Sequence, residues 1–86
     1  MKLNPKYILR EVAGETLLVS IADLTAPKRL LCLNELGKDI YLHLQKGLSE
    51  DEIFAALFAE YEVEPQALRA DLDEFLATLR AYEVIV

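Results

Sequence analysis

The feature that most constrains the fold is a change of hydrophobic spacing at Asn34, within the stretch RLLCLNELGKDIYLHL (residues 29–44). Before Asn34 the apolar residues are consecutive, which is typical of a short buried strand. After it, Leu36, Ile40 and Leu44 recur every four residues, as on the buried face of a helix. Asn34 itself is a preferred helix N-cap, because its side-chain oxygen accepts hydrogen bonds from the first amides of a helix. The sequence therefore predicts a strand that runs directly into a helix.

The segments around this junction predict three strands followed by three helices. The predicted strands are Tyr7–Val12, Thr16–Ile21 and Arg29–Leu33, joined by a turn at residues 13–15 and a loop at residues 22–28. The predicted helices run from the Asn34 cap to Gly47, from the capping box at Ser49 and Glu52 to about Tyr61, and roughly over Gln66–Ala81 after Pro65. This order predicts an α+β fold, with a three-stranded antiparallel sheet covered on one face by helices. Residues 1–86 are expected to form a single domain. The tail at residues 83–86 is predicted either as a last strand or as a frayed end.

Few residues offer catalytic or metal-binding chemistry. His43 is the only histidine and flanks the apolar stripe of the first predicted helix, which favours a partly buried structural role. Cys32 lies between leucines and is more typical of a small apolar filler than of a nucleophile. Asp71 and Glu74 lie one turn apart and could start a metal site, but no further ligand joins them, which favours a solvated helix face. We therefore expect no enzyme activity, no metal and no cofactor.

The charge balance argues against several classes of partner. Fifteen acidic and nine basic residues give a net charge of −6, and the basic residues are scattered. Proteins that grip nucleic acid cluster Lys and Arg against the phosphates, so the sequence predicts no nucleic-acid partner, and it counts equally against an anionic membrane. No stretch is apolar for long enough to be a signal peptide or to cross a bilayer, and one cysteine cannot form an internal disulfide. These features predict a cytoplasmic protein.

Four stretches carry a resemblance to a known family. LNELG, GLSEDEI, EYEV and DLDEFLATL occur in the order and spacing seen in pyrroloquinoline quinone biosynthesis protein D, whose domain is also called the RiPP recognition element. The resemblance covers nearly the whole chain and implies a fold related to winged helix-turn-helix domains. It also implies a non-catalytic function, because members bind the leader segment of a ribosomally made precursor peptide. The leader pairs as a fourth antiparallel strand in the groove between the third strand and the third helix. The member then presents it to a modifying enzyme such as a radical SAM enzyme, a cyclodehydratase or a leader peptidase.

The resemblance implies peptide-binding residues on two elements. They are Arg29, Leu30, Leu31, Cys32 and Leu33 on the third strand, and some of Arg69, Leu72, Asp73, Leu76 and Arg80 on the third helix. Leu72 and Leu76 are as well explained by packing in the core as by contact with a peptide. Arg69 and Arg80 are alternatively explained as solvated surface charges. The strand is the stronger prediction, because main-chain hydrogen bonding does not depend on side-chain identity.

Two other functions stay open at this stage. One is a winged helix-turn-helix DNA-binding regulator, although the third helix carries Asp71, Asp73 and Glu74 against Arg69 and Arg80, so that phosphates would repel it. The other is a structural subunit that docks on a large enzyme and binds no peptide itself. An open apolar strand edge also allows two copies of the chain to pair, which leaves a homodimer as a further expectation.

Overall fold

The structure, a computed structural model, describes residues 1–20 and 30–86. Ile21, Arg29 and the predicted loop at residues 22–28 lie outside the described residues. The elements are β1 (Tyr7–Val12), β2 (Glu15–Ser20), β3 (Leu30–Leu33), α1 (Glu35–Gln45), α2 (Glu50–Glu60) and α3 (Pro65–Ala81). The predicted α+β fold, three antiparallel strands followed by three helices, is confirmed.

A two-residue turn joins β1 to β2. Ala13 and Gly14 both have positive φ angles, 51° and 83°, which is the geometry of a type I′ hairpin turn. This turn matches the right-handed twist of the flanking strands, so Val12 lies directly opposite Glu15. The predicted turn at residues 13–15 was therefore one residue too long, and β2 begins at Glu15 instead of Thr16.

The sheet has the order β1-β2-β3, with β2 in the centre. β3 pairs antiparallel with β2, and Leu31 and Leu33 lie opposite Leu18 and Thr16. Because side chains alternate across a strand, these residues share the inner face of the sheet. Leu30 and Cys32 lie on the outer face.

The core lies between the inner face of the sheet and the three helices. Leu18 is fully buried at the centre of the sheet, and Leu33 is 5% exposed. The helices contribute Ile40, Tyr41, Leu44, Ile53, Leu57, Leu68, Leu72, Leu76 and Leu79. Phe58 of α2 is 47% exposed and lies outside the core. The four leucines form the buried stripe of α3, and Phe75 at its margin is only half-buried.

The predicted helix caps position these elements. The Asn34 side chain accepts a hydrogen bond from the Gly37 amide at 2.8 Å, which starts α1 immediately after β3. Ser49 and Glu52 form the predicted capping box of α2, and their hydrogen bonds lower the pKa of the Glu52 carboxyl. Pro65 occupies the first turn of α3. The strand-to-helix junction is therefore fixed locally.

The two ends of the chain lie together. Leu3 and Ile85 form an isolated antiparallel bridge, and the Asn4 amide donates to the Val84 carbonyl at 2.8 Å. The tail is thus neither a regular strand nor frayed. α3, with 17 residues, is the longest described helix, and no helix within residues 1–20 and 30–86 has the length and apolar character needed to span a membrane.

Candidate functional site

β3 presents one edge to the rest of the molecule and the other to its surroundings. The first edge pairs with β2 from Leu30 to Leu33. Within the described residues, no strand pairs with the second edge. The four residues of β3 carry no charge, no proline and no bulge, which are the devices that natural proteins use to protect such edges.

The hairpin register shows which groups of β3 point outward. A type I′ turn hydrogen-bonds the residues that flank it, here Val12 and Glu15, and hydrogen-bonded pairs then alternate along an antiparallel ladder. Glu15, Leu17 and Val19 therefore direct their main-chain groups to β1. The intervening β2 residues, Thr16 and Leu18, direct theirs to β3, where they meet Leu33 and Leu31. It follows that the N–H and C=O groups of Leu30 and Cys32 point to the free edge.

A groove runs beside this edge, between β3 and α3, and is here called the β3–α3 groove. Its part next to the strand, the strand section, has a volume of about 400 Å³. Six residues line it, namely Leu31, Cys32, Leu33, Asn34, Phe75 and Thr78. The section is mainly apolar, so it can hold the side chain of a peptide that pairs with the strand.

A second part of the groove, the acidic section, lies beyond the end of β3, between α1 and α3. Its volume is about 300 Å³, and it shares Asn34, Phe75 and Thr78 with the strand section. The two sections are therefore adjacent. The acidic section is also lined by Leu36, Gly37, Ile40, Asp71 and Glu74. The α3 wall consequently changes from apolar to acidic along the groove.

Gly37 and Phe75 bring α1 and α3 together at the boundary of the two sections. A Cβ atom on Gly37 would lie 3.0 Å from Cε1 of the Phe75 ring and 3.2 Å from Oδ1 of Asn34. Nine in ten real Cβ contacts are longer than these, so the absence of a side chain at Gly37 leaves space that the ring uses. Phe75 thus lines both sections from a position fixed by α1.

The predicted strand residues and the predicted helix residues lie in different places. Leu31, Cys32 and Leu33 line the groove, and Leu30 lies at the edge with 59% of its surface exposed. The lining of neither groove section includes Arg69, Leu72, Asp73, Leu76 or Arg80. Leu72 and Leu76 are fully buried in the core. Arg80 is exposed, with Nη2 3.9 Å from the sulfur of Met1. The role of all these residues in peptide binding stays a prediction, as does that of Arg29.

Arg69 is turned toward α2. Its guanidinium lies 3.4 Å from carboxylate oxygens of Glu50, Asp51 and Asp73. It also lies over the Phe54 ring, 5.6 Å from the centroid, in a cation–π arrangement. Arg69 is therefore ion-paired on the α2 side of α3, where Asp73 shares its positive charge with Glu50 and Asp51.

The residues considered for catalysis or metal binding lie apart from one another. Cys32 is exposed on the outer face of the sheet, so its interpretation as an apolar filler is wrong. The His43 side chain is 13% exposed and its Nε2 lies 3.8 Å from a Glu60 carboxylate oxygen, while its buried Nδ1 has no hydrogen-bond partner among the described residues. In the part of the chain that the structure describes, no three His, Cys, Asp or Glu side chains are grouped as metal ligands.

Sequence reasoning did not assign to the site the residues that form the α3 wall. Asp71, Phe75 and Thr78 recur at the i, i+4 and i+7 positions of one helix face, with Glu74 beside them. From the sequence, Asp71 and Glu74 were considered as metal ligands, as a solvated helix face and as charges that would repel phosphates, but not as part of a peptide site. Their spacing places them on one flank of α3, but it does not indicate that this flank, rather than the opposite one, lies toward β3.

Two comparisons find similar proteins. The sequence model of the family described as coenzyme PQQ synthesis protein D (PqqD) matches residues 15–85. The solved structure of TbiB1 in complex with the TbiA(β) leader peptide is 27% identical in sequence, with a TM-score of 0.81, and the match covers 98% of this chain and 93% of that chain. A comparison with curated proteins finds no match.

Proposed function

Because this chain belongs to the family of coenzyme PQQ synthesis protein D, we propose that it captures the leader segment of a ribosomally synthesised precursor peptide. The leader pairs as a fourth strand with the free edge of β3 and is presented to a modifying enzyme. The free edge beside a groove is the observation that carries this proposal. The similar fold of TbiB1, whose structure contains a leader peptide, supports it.

The main-chain groups alone would bind weakly. Leu30 and Cys32 together offer two N–H donors and two C=O acceptors to a guest strand. At about 1 kcal/mol net for each hydrogen bond, they contribute about 4 kcal/mol, compared with about 8 kcal/mol for a micromolar complex. The difference must come from guest side chains, and the apolar strand section beside Leu31 and Phe75 is the surface suited to bury one.

The protein acts in this proposal by binding rather than by catalysis. The chemistry belongs to the modifying enzyme, which is a radical SAM enzyme, a cyclodehydratase or a leader peptidase, and the adaptor raises the local concentration of the peptide beside it. The whole chain, residues 1–86, serves as the peptide-binding domain. A cytoplasmic location would place it where precursor peptides are synthesised.

Selection of peptides followed by amide exchange tests the proposal. Displayed random peptides about 12 residues long, which span about 40 Å when extended, cover both groove sections. We expect enriched peptides to contain alternating apolar residues. Hydrogen exchange of the labelled protein with such a peptide should slow at the amides of Leu30 and Cys32. The amides of Leu9 and Glu11, which point outward on the β1 edge, serve as the internal control and should exchange as before.

Two results would contradict the proposal. The first is a selection that enriches no strand-like peptide. The second is protection that appears at the β1 edge instead of the β3 edge. The structural-subunit alternative predicts that the chain is pulled down with its enzyme whether or not a precursor peptide is present, whereas the adaptor proposal predicts a ternary complex that includes the peptide.

A further inference from the structure

We propose that the acidic section of the β3–α3 groove selects leader peptides that carry a lysine or arginine shortly before the residues that pair with β3. This inference rests on the proposed function and deepens it, because it names the chemistry of the recognised segment. The apolar strand section would hold the side chains of the pairing residues, and Asp71 and Glu74 would receive the cation. The acidic section is thereby a specificity-determining part of the site.

The acidic side chains of α3 differ in their partners. Asp73, on the α2 side, lies 3.4 Å from Arg69. Asp71 and Glu74, on the groove side, form no ion pair with any described residue. Both are exposed and line the same cavity of about 300 Å³. A cation placed between two carboxylates that have no ion-pair partner is attracted to both of them. Water and a distant counter-ion stabilise the two carboxylates less well than such a cation does.

The N-terminus of α1 also lines the acidic section, and a helix N-terminus by itself favours an anion. Here that preference is already met. The Asn34 side chain accepts from the Gly37 amide, the Asn34 carbonyl accepts from the Lys38 amide, and Glu35 places a negative charge in the first turn. The uncompensated charge of the cavity is therefore that of the α3 carboxylates, and an anionic occupant would meet repulsion.

The position of the cation in the guest follows from the directions of the elements. Toward its C-terminal end, β3 approaches the acidic section through Asn34, whereas α3 leads from Asp71 in the acidic section to Thr78, which borders both sections. A guest antiparallel to β3 thus has its N-terminal part beside Asp71 and Glu74. The seven helical steps from Asp71 to Thr78 rise about 10 Å, which is the length of about three extended residues. We therefore place the cation about two to four residues before the middle of the pairing segment.

The test repeats the peptide selection with a variant of the acidic section. Asp71→Asn combined with Glu74→Gln removes two exposed charges without changing side-chain size. Glu62→Gln combined with Glu64→Gln is the matched control, because it removes two exposed carboxylates that line neither groove section. With the wild-type chain and the control, we expect lysine or arginine to be enriched at one place on the N-terminal side of the apolar alternation. With the groove variant, the apolar alternation should persist and the cationic preference should disappear.

A titration with a single enriched peptide, against the wild-type chain and the groove variant, gives a second readout that requires no further selection. Replacing its lysine by glutamine should weaken binding to the wild-type chain roughly 3- to 10-fold in a low-salt buffer, and less as salt is raised. The same replacement should have no effect on binding to the groove variant. This coupling between peptide and protein charges is expected only where the two groups meet.

Each outcome either supports or overturns the inference, and failure of the inference differs from failure of the proposed function. Enriched apolar alternation without a cationic preference, or a preference that survives in the groove variant, overturns the inference and leaves strand addition in place. A selection that enriches no strand-like peptide overturns the proposed function, and the inference with it.

Discussion

The two edges of the sheet differ in how they are protected. β1 carries Arg10 and Glu11 among its six residues, and the Glu11 carboxylate accepts a hydrogen bond from the Lys38 ammonium of α1. β3 carries no charge between Leu30 and Leu33. Among residues 1–20 and 30–86, each of these strands pairs with β2 on one side and with no strand on the other. The fold therefore protects one edge by ordinary means and leaves the other without them.

The difference extends to what lies beside each edge. The β3 edge adjoins a groove whose far wall is α3, with Phe75 and Thr78 facing the strand. An exposed apolar edge is an aggregation hazard, and natural sequences usually remove such hazards. The proposed function accounts for such an edge beside a groove of suitable size, because a guest strand would cover it.

The largest expected effect comes from a proline substitution at the β3 edge, compared with the same substitution at the β1 edge. The Cys32 amide points away from β2, so Cys32→Pro removes no hydrogen bond of the sheet but removes a donor to the guest and places a ring in its path. We expect affinity for an enriched peptide to fall at least about 100-fold by fluorescence polarisation, corresponding to about 3 kcal/mol.

Glu11→Pro is the matched control for this change. The Glu11 amide points outward on the β1 edge in the same way, and the residue is exposed. Peptide affinity should stay within a factor of about two, and circular dichroism should show that both variants retain their helices. Equal losses in the two variants, or none in either, would remove the distinction between the edges.

A smaller effect is expected from Gly37→Ala, which narrows the groove from the α1 side. The added Cβ would lie 3.0 Å from the Phe75 ring, which must move toward the groove. Alanine is favoured over glycine in a helix by about 1 kcal/mol, which offsets a crowding cost of about 1–3 kcal/mol. We therefore expect a small change in thermal stability and about a 10-fold loss of peptide affinity by calorimetry.

The exposed substitution Gln45→Ala on the same helix is the control for Gly37→Ala, and it should leave peptide affinity unchanged. If Gly37→Ala binds the peptide as well as the wild-type chain does, the wall at Phe75 does not contact the guest. The β3 edge would then act without its groove, and its difference from the β1 edge would reduce to charge alone.

The strand side of the site could be predicted from the sequence, because its signals are local. The change of spacing at Asn34 and the absence of charge over residues 30–33 need no knowledge of the rest of the fold. The cap that turns the chain from β3 into α1 is confirmed at the atom that sequence reasoning assigned to it, the side-chain oxygen of Asn34.

The helix side of the site could not be predicted in the same way. Leu68, Leu72, Leu76 and Leu79 define the buried stripe of α3, and at 100° per residue this stripe has two flanks. One flank carries Arg69, Asp73 and Arg80, and the other carries Asp71, Phe75 and Thr78. Which flank faces β3 depends on how α3 crosses the sheet, a tertiary property that the helix sequence does not encode. The structure places the second flank on the groove.

A modest effect is expected from adding a charge to the outer face at the β3 edge, with the same change at the β1 edge as the control. Leu30 and Val12 are 59% and 56% exposed, and both lie on the outer face of an edge strand. Leu30→Lys introduces the protection that β3 lacks and replaces an apolar cross-strand neighbour of the guest. Such pairs contribute about 0.2–1 kcal/mol, so we expect a roughly 2- to 5-fold loss of peptide affinity. Val12→Lys should cause none, and a loss in both variants would mean that overall charge acts instead of the edge.

The smallest expected effect concerns the ion pair at the protected edge and its dependence on pH. The Lys38 ammonium lowers the pKa of the Glu11 carboxyl below its ordinary value of 4.5, chiefly through their hydrogen bond, and Glu11 raises the pKa of Lys38 above 10.5. A carboxyl whose pKa is lowered in the folded state stabilises the fold at pH values above its unfolded-state pKa. This contribution is lost as the pH falls through the folded-state pKa. The stabilisation that Lys38 provides through its raised pKa is present below about pH 10.5. It is lost as the pH rises through the folded-state pKa of the lysine.

Thermal melts of Lys38→Met against the wild-type chain measure this contribution. Both groups are exposed, so the difference in Tm should be small at pH 7 and should shrink toward zero as the pH falls from 5 to 3. Lys6→Met, which removes an exposed lysine with no ion pair among the described residues, controls for the loss of charge. Peptide affinity at pH 7 should be the same in all three chains, because the protected edge takes no part in binding. A lowered peptide affinity of Lys38→Met would show that β1 and α1 influence binding of the guest. The conclusion that only the β3 edge takes part in binding would then be wrong.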